Sequence, residues 1–270
     1  TLLRDAARGT GTDWSLLAAI AWQEHDFRSS GALLGAGLSP AAWKTYGSDG
    51  NGDGTVSRTN RSDQARTVAT YLADARSTET AALRAYYAAS HPSYHVRRTV
   101  FLADWFGALG TTALTRGLSS DEAKAELAQR VLADKGADIY EAGRGDIEAG
   151  LVDPRVLMTI ELLRARFGSV HVTSLISGHN VFTAGGNVSL HSMGQGIDIG
   201  ALGGEVITPS TQTRGSNIWR AVRELLLLPE SSQPKEIISL WDMGGASFAL
   251  PDHDDHLHVG YATSGDADKG

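Results

Sequence analysis

The sequence of 270 residues contains no cysteine. That excludes disulfides and thiolate metal ligands, and it leaves the compartment open, because many exported bacterial chains also lack the residue. Long apolar runs are missing too. The longest, Leu225–Leu228, falls far short of the roughly 20 residues that span a bilayer and reads as part of an amphipathic helix. Basic residues are in the minority, 24 Lys and Arg against 31 Asp and Glu, and they form no evident patch. A net charge of −7 therefore argues against nucleic acid and anionic membranes as partners. The chain opens at Thr1 without an initiator methionine, a basic n-region or an apolar h-region, so a mature or trimmed product is expected. What remains is an ordinary globular composition, 41% hydrophobic and 20% charged, long enough for one large domain or two smaller ones.

Two differently patterned halves follow one another. In "WSLLAAIAW", "ARTVATYLADA" and "RRTVFLADWFGAL" the apolar residues recur at helical spacing, so residues 1–118 read as an all-α domain. Residues 119–142 read as a connecting helix and linker, opened by a capping box of Ser119 and Glu122 and closed by Gly136. Residues 143–262 read as α+β. Asp153 caps a helix that starts with Pro154 and ends at Gly168, while "SVHVTSLIS", "GIDIG", "EIISLW" and "HLHVGY" alternate as strands do. The last eight residues, 263–270, read as a flexible tail.

The second half concentrates its chemistry in two stretches. On a strand, His256 and His258 of "HLHVGY" share one face while Leu257 and Val259 point to the core. In "SLHSMGQGIDIG", residues 189–200, His191 and Asp198 flank a glycine-rich turn, and Asp198 lies opposite the face of Ile197 and Ile199. If His191, Asp198 and His258 converge, two imidazoles and a carboxylate would suit Zn²⁺ and leave a fourth position open, the pattern of a catalytic rather than a structural site. Asp255, three residues before His258, is the candidate acid/base. The competing reading is a set of solvated polar residues on a strand edge, and His171, His179 and His253 are open to it.

Ser189-x-His191, Gly194, Gly196-x-Asp198 and the later Asp255-His256-x-His258 together resemble the zinc D-alanyl-D-alanine peptidases of the Hedgehog/D,D-peptidase fold. The resemblance covers about 110 residues. It implies His191, Asp198 and His258 as zinc ligands, Asp255 as acid/base, His256 as a substrate or transition-state contact, and Ser189 and His179 as substrate-binding residues. Gly196 stands where alanine is usual. "SGHN" at 177–180 stands where many members carry Ser-Gly-Tyr-Arg, so Asn180 replaces an arginine and the peptide substrate is left open.

In the first half, the apolar stripe through Leu17 and Ile20 continues through Glu24 to Phe27, which puts Glu24 on a buried face where desolvation raises its pKa. A helix-end glutamate reaching water is the alternative. Residues 31–74, together with "YYAASHPSYHVRRTV", resemble the lytic murein transglycosylases of the membrane-bound B type, a lysozyme-like fold. The resemblance makes Glu24 the acid that protonates the leaving glycosidic oxygen. Gly37 stands where that family carries a substrate-binding glutamine, and His25 replaces the serine that follows the glutamate. The loop 49–60 places Asp49, Asn51 and Asp53 at the first, third and fifth positions of an EF-hand-like Ca²⁺ loop, but Asn60 takes the twelfth position in place of a bidentate glutamate. Weak calcium binding and a metal-free Asx turn both remain open.

Both resemblances lead to peptidoglycan. The expectation is a monomeric, exported or wall-associated bacterial hydrolase that cleaves stem peptides with zinc and cleaves or binds the glycan strand. A wall-binding protein with degenerate enzyme domains is the alternative.

Overall fold

The computed structural model describes residues 1–27, 31–74, 78–183 and 185–262, so the expected tail at 263–270 lies outside the described residues. The chain is mixed α/β and divides into two compact units, Thr1–Gly107 and Ala108–Gly270.

Among its described residues the regular elements of the first unit are all helices: α1 (Leu2–Ala7), α2 (Trp14–His25), α3 (Pro40–Tyr46), α4 (Arg61–Asp74), α5 (Glu79–Tyr86) and most of α6 (Pro92–Arg116), which is broken at Gly110 by φ 77° and ψ 166°. Asp13 starts α2 by accepting from the Ser15 N–H at 3.3 Å. The sequence suggests a single apolar stripe on α2. Instead every residue from Ser15 to Ala21 is buried, so α2 is the central helix of its unit and is covered on all sides. Full burial of Leu16, Leu17 and Ile20 contributes about 1.5–3 kcal/mol each. Further along, Trp22 meets Trp105 and Phe106 of α6 edge-on, with centroids 6.2 and 6.0 Å apart. The helix stops where Asp26 takes a left-handed conformation, φ 50°.

The second unit is built on a mixed sheet of β1 (Ala137–Ile139), β2 (Val170–Ser174), β3 (Gly196–Leu202), β4 (Glu205–Val206), β5 (Glu236–Ser239), β6 (Ser247–Ala249) and β7 (Leu257–Gly260), in the order β1-β2-β3-β7-β5-β6 with β4 paired to β3. Three of these strands, β1, β4 and β6, are too short to show an alternation in sequence. The helices are α7 (Asp121–Ala133), α8 (Glu141–Glu148), α9 (Pro154–Phe167) and α10 (Asn217–Leu225), so the leucine run 225–228 lies at and beyond the end of α10.

Residues 119–142, read as a connection, belong to the second unit: α7 packs against α9, and β1 pairs in parallel with β2. The cap of α7 is Ser120, which accepts from the Ala123 N–H at 3.3 Å, and not Ser119. The helix closes at Asp134, before Gly136. Two adjacent serines offer the same cap chemistry one residue apart, and only the backbone geometry chooses between them. The start and stop of α9 follow the sequence: Asp153 accepts from the Arg155 N–H at 2.8 Å, Pro154 opens the first turn, and Gly168 closes with φ 84°.

Candidate metal centre and a buried glutamate

The sheet register brings the expected ligands together. Strands β3 and β7 are antiparallel, with Ile197 opposite Val259, Asp198 opposite His258 and Ile199 opposite Leu257. The aliphatic members of these pairs are fully buried on one face, so Asp198 and His258 emerge side by side on the other. A single 3₁₀ turn, His191–Met193, supplies His191. The three polar atoms form a tight triangle: His191 Nε2 to Asp198 Oδ1 is 3.1 Å, His258 Nδ1 to Asp198 Oδ1 is 2.8 Å, and His191 Nε2 to His258 Nδ1 is 3.1 Å.

The outer nitrogens of both imidazoles are already committed. His191 Nδ1 donates to the Leu175 carbonyl at 2.7 Å, and His258 Nε2 donates to Glu236 Oε1 at 3.1 Å. With those tautomers fixed, the lone pairs of His191 Nε2 and His258 Nδ1 turn toward the Asp198 carboxylate. Three such acceptors repel one another unless a proton or a cation sits among them. Burial works against a charged His258, but hydrogen bonds to Asp198 and Glu236 outweigh it and push this imidazole up to about 9. His191 moves down, through burial first and the charges of His258 and His179 second, against the pull of Asp198. Burial alone would raise Asp198, yet its hydrogen bonds with His191 and His258 hold it far below the usual carboxylate range. These hydrogen bonds favour a proton on His258. A dication can take the place of that proton, and two imidazole nitrogens with one carboxylate oxygen are a donor set that Zn²⁺ accepts.

Two glycines make room for this arrangement. A Cβ on Gly196 would stand 2.9 Å from the backbone nitrogen of His191, and one on Gly260 would stand 2.5 Å from Leu190 Cδ1 and 2.8 Å from Glu236 Cγ. From α8, Asp146 accepts from the backbone N–H groups of Ile176 (3.2 Å) and Ser177 (2.8 Å), while the Tyr140 hydroxyl accepts from the Leu175 N–H at 2.8 Å and donates to the Ser177 carbonyl. These contacts hold the loop whose Leu175 carbonyl orients His191. The Leu175 carbonyl, Glu236, Asp146 and Tyr140 were all missed from sequence.

The remaining expected residues fall in different places. His179 stacks on His191, centroids 3.9 Å apart and planes within 10°, and among the described residues His179, His191 and Asp198 offer ligand atoms within 4.8 Å of one another. Ser189, expected to meet substrate, is buried at 3% exposure; its hydroxyl accepts from the His191 N–H at 3.3 Å and so positions the ligand. Asp255 and His256 both lie ahead of β7, which begins at Leu257, and the Asp255 carboxylate accepts from His256 Nδ1 at 2.7 Å instead of turning to an expected ligand. It is His256 that approaches the centre, with Nε2 3.9 Å from Asp198 Oδ1. His253 is no bystander in position, since its ring lies 4.5 Å from that of His256 and 6.0 Å from that of His258. His171, on β2, pairs instead with Asp138 on β1, its Nδ1 2.7 Å from Asp138 Oδ2.

In the first unit Glu24 is nearly buried, its side chain 8% exposed. The Tyr86 hydroxyl donates to Oε1 at 2.7 Å, the Ala36 N–H donates to Oε2 at 3.3 Å, and His25 Nε2 stands 3.9 Å from Oε2. Burial raises its pKa against the opposing effect of Tyr86, Ala36 and His25. Gly37 touches the same tyrosine: a Cβ there would lie 2.4 Å from the Tyr86 carbonyl oxygen, so no side chain fits in this backbone. In the candidate calcium loop, Asp49 accepts from the N–H groups of Gly52 and Gly54, both at 2.7 Å, and Asp53 accepts from Thr55 N–H at 2.8 Å and Asn51 Nδ2 at 2.7 Å. Asp63, fully buried and also missed from sequence, closes the loop by accepting from Gly50 and Ser57, each at 2.8 Å.

Comparison with protein-family models, curated proteins and solved structures gave no match. Among the described residues no helix is long and apolar enough to cross a membrane.

Proposed function

We propose that the chain is a peptidoglycan hydrolase whose second unit, of Hedgehog/D,D-peptidase type, is a zinc peptidase acting on stem peptides. The observation that carries this reading is the triangle of His191 Nε2, Asp198 Oδ1 and His258 Nδ1, no edge longer than 3.1 Å, with both outer imidazole nitrogens fixed by second partners. A zinc ion held there would supply a Lewis acid for the scissile carbonyl and for water. The chain's own groups do the rest. Glu236 and the Leu175 carbonyl orient the imidazoles, and the Asp255–His256 pair at the rim holds the proton that the leaving nitrogen needs. The protein then works outside the cell, as a monomer, on the wall polymer.

The first unit, of lysozyme-like type, supports a glycan-facing role on the same polymer, with Glu24 as its acid. The packing of Gly37 on Tyr86 leaves no room for a glutamine side chain, which favours glycan binding with weak or absent cleavage.

Mass spectrometry of purified peptidoglycan digested with the zinc-loaded protein tests both parts. New peptide termini that vanish with chelator are expected. Anhydro-muropeptides would reveal cleavage by the first unit. An unchanged stem-peptide profile would refute the peptidase.

A further inference from the structure

His179 stands beside the centre, and the mechanism gives it no part. Its ring covers one face of His191, with centroids 3.9 Å apart and planes within 10°. Among the described residues His179, His191 and Asp198 each bring one ligand atom within 4.8 Å of the other two. The tautomer suits a ligand. His179 Nδ1 donates to the Asn180 carbonyl at 2.9 Å, with the Ser189 hydroxyl at 3.4 Å, and this leaves the lone pair on Nε2. The Leu175 carbonyl does the same for His191.

What separates His179 from the two expected imidazole ligands is how it is held. His191 and His258 are buried, one in a 3₁₀ turn and the other inside β7. His179 is half-buried on the loop that follows β2. Asp146 anchors the base of that loop by accepting from the Ile176 and Ser177 N–H groups, and the imidazole is carried two residues further on. A ring nitrogen's lone pair lies in the plane of its ring, so two parallel stacked rings cannot aim at one ion. For His179 to share an ion with His191 its ring has to turn out of the stack. The one short hydrogen bond that holds it goes to its own neighbour's carbonyl, and its half-buried position leaves a way out.

Two imidazoles and a carboxylate leave one position of a tetrahedral zinc site open, and a fourth protein ligand closes it. We infer that His179 is that fourth ligand: it turns out of its stack on His191, caps the ion in the resting protein and has to leave before a peptide is cut. The inference rests on the zinc centre of the reading above and adds to it a regulated fourth position. His256 is the competing ligand, since its Nε2 lies 3.9 Å from Asp198 Oδ1.

The test counts imidazoles on the metal. The whole chain is loaded with zinc for X-ray absorption and with cobalt for visible spectroscopy, and zinc affinity is read by competition with a chromophoric chelator. The parent should show three imidazoles and a four-coordinate cobalt spectrum. His179→Ala should show two imidazoles and lose at least about tenfold in zinc affinity, the loss that even an outer partner of a ligand causes. His256→Ala should keep three. Two imidazoles in the parent, or a third that disappears with His256 instead, would overturn the inference. With zinc saturating, His179→Ala should also cut a stem peptide several-fold faster than the parent, because no ligand has to leave. Equal or slower cutting would overturn the cap. Three imidazoles in a parent that cuts no peptide, with a variant that cuts none either, would refute the peptidase reading and uphold His179 as a ligand. A parent that binds no zinc would remove both.

Discussion

Asp198 and His258 face each other across adjacent antiparallel strands, and their Oδ1 and Nδ1 atoms lie 2.8 Å apart. Because the pairing of Ile197 with Val259 and Ile199 with Leu257 fixes the register through buried aliphatic contacts, the polar pair is held by the core beneath it. A slip of β7 by one residue would turn His258 into that core. The sheet register therefore fixes this pair of candidate ligands.

The first prediction concerns the proton that a metal must displace. His258 has a folded pKa of about 9, above the unfolded value of about 6.5. Its proton adds stability in full below about pH 6.5, and that contribution is lost as pH rises through about 9. Metal-free protein should thus become less stable from about pH 7 to 9, while zinc affinity rises about tenfold per pH unit over the same interval. Calorimetric titration with zinc at several pH values checks both directions. A flat affinity would mean that His258 binds no proton there.

Glu236 provides the second. Its hydrogen bond with His258 is the main cause that holds its own carboxyl low, and burial opposes it. Glu236→Ala removes the partner of Nε2 and frees the other tautomer, so zinc affinity should fall about 10- to 100-fold with the fold intact. Zinc affinity equal to that of the parent would show that the ring is oriented without Glu236.

How much of this was legible beforehand follows from the length scale of each signal. The alternation in "GIDIG" and "HLHVGY" exposes Asp198 and His258 because a strand puts every second residue on one face, and the glycine turn after His191 marks its return to β3. Glu236 gave no such signal: it opens a four-residue strand, 22 residues before His258, and reaches it only because Gly260 leaves space. The Leu175 partner is a backbone carbonyl, which no side-chain pattern can reveal. On α2 the stripe reasoning placed Glu24 correctly on a buried face but understated the helix, since alanines at 18, 19 and 21 fill what should have been its open side.

A third prediction separates Asp255 from His256. Because Asp255 reaches the centre through His256 Nδ1, the two should act as one unit. Asp255→Ala should retain zinc and lose about 10²- to 10⁴-fold in rate. His256→Ala should lose a similar factor, and the double variant little more than either alone. Single losses that multiply in the double variant would mean that the carboxylate works on the substrate independently, as the sequence motif suggested.

Glu24 supplies the last. Burial keeps its carboxyl raised, so ionisation at neutral pH is costly in the folded state. A group with a raised folded pKa stabilises below its unfolded value, about 4.3, and loses that contribution as pH climbs through the folded value. Glu24→Gln is neutral at every pH and keeps an oxygen for the Tyr86 hydroxyl, so the variant should melt higher than the parent at pH 7 and lose this advantage at about pH 4. The same substitution removes the transferable proton, so any anhydro-muropeptide made by the parent should disappear while binding to glycan strands persists. If the melting difference does not change with pH, the buried carboxyl is not titrating as its surroundings require. If the Gln variant still forms anhydro ends, the proton comes from elsewhere in the first unit.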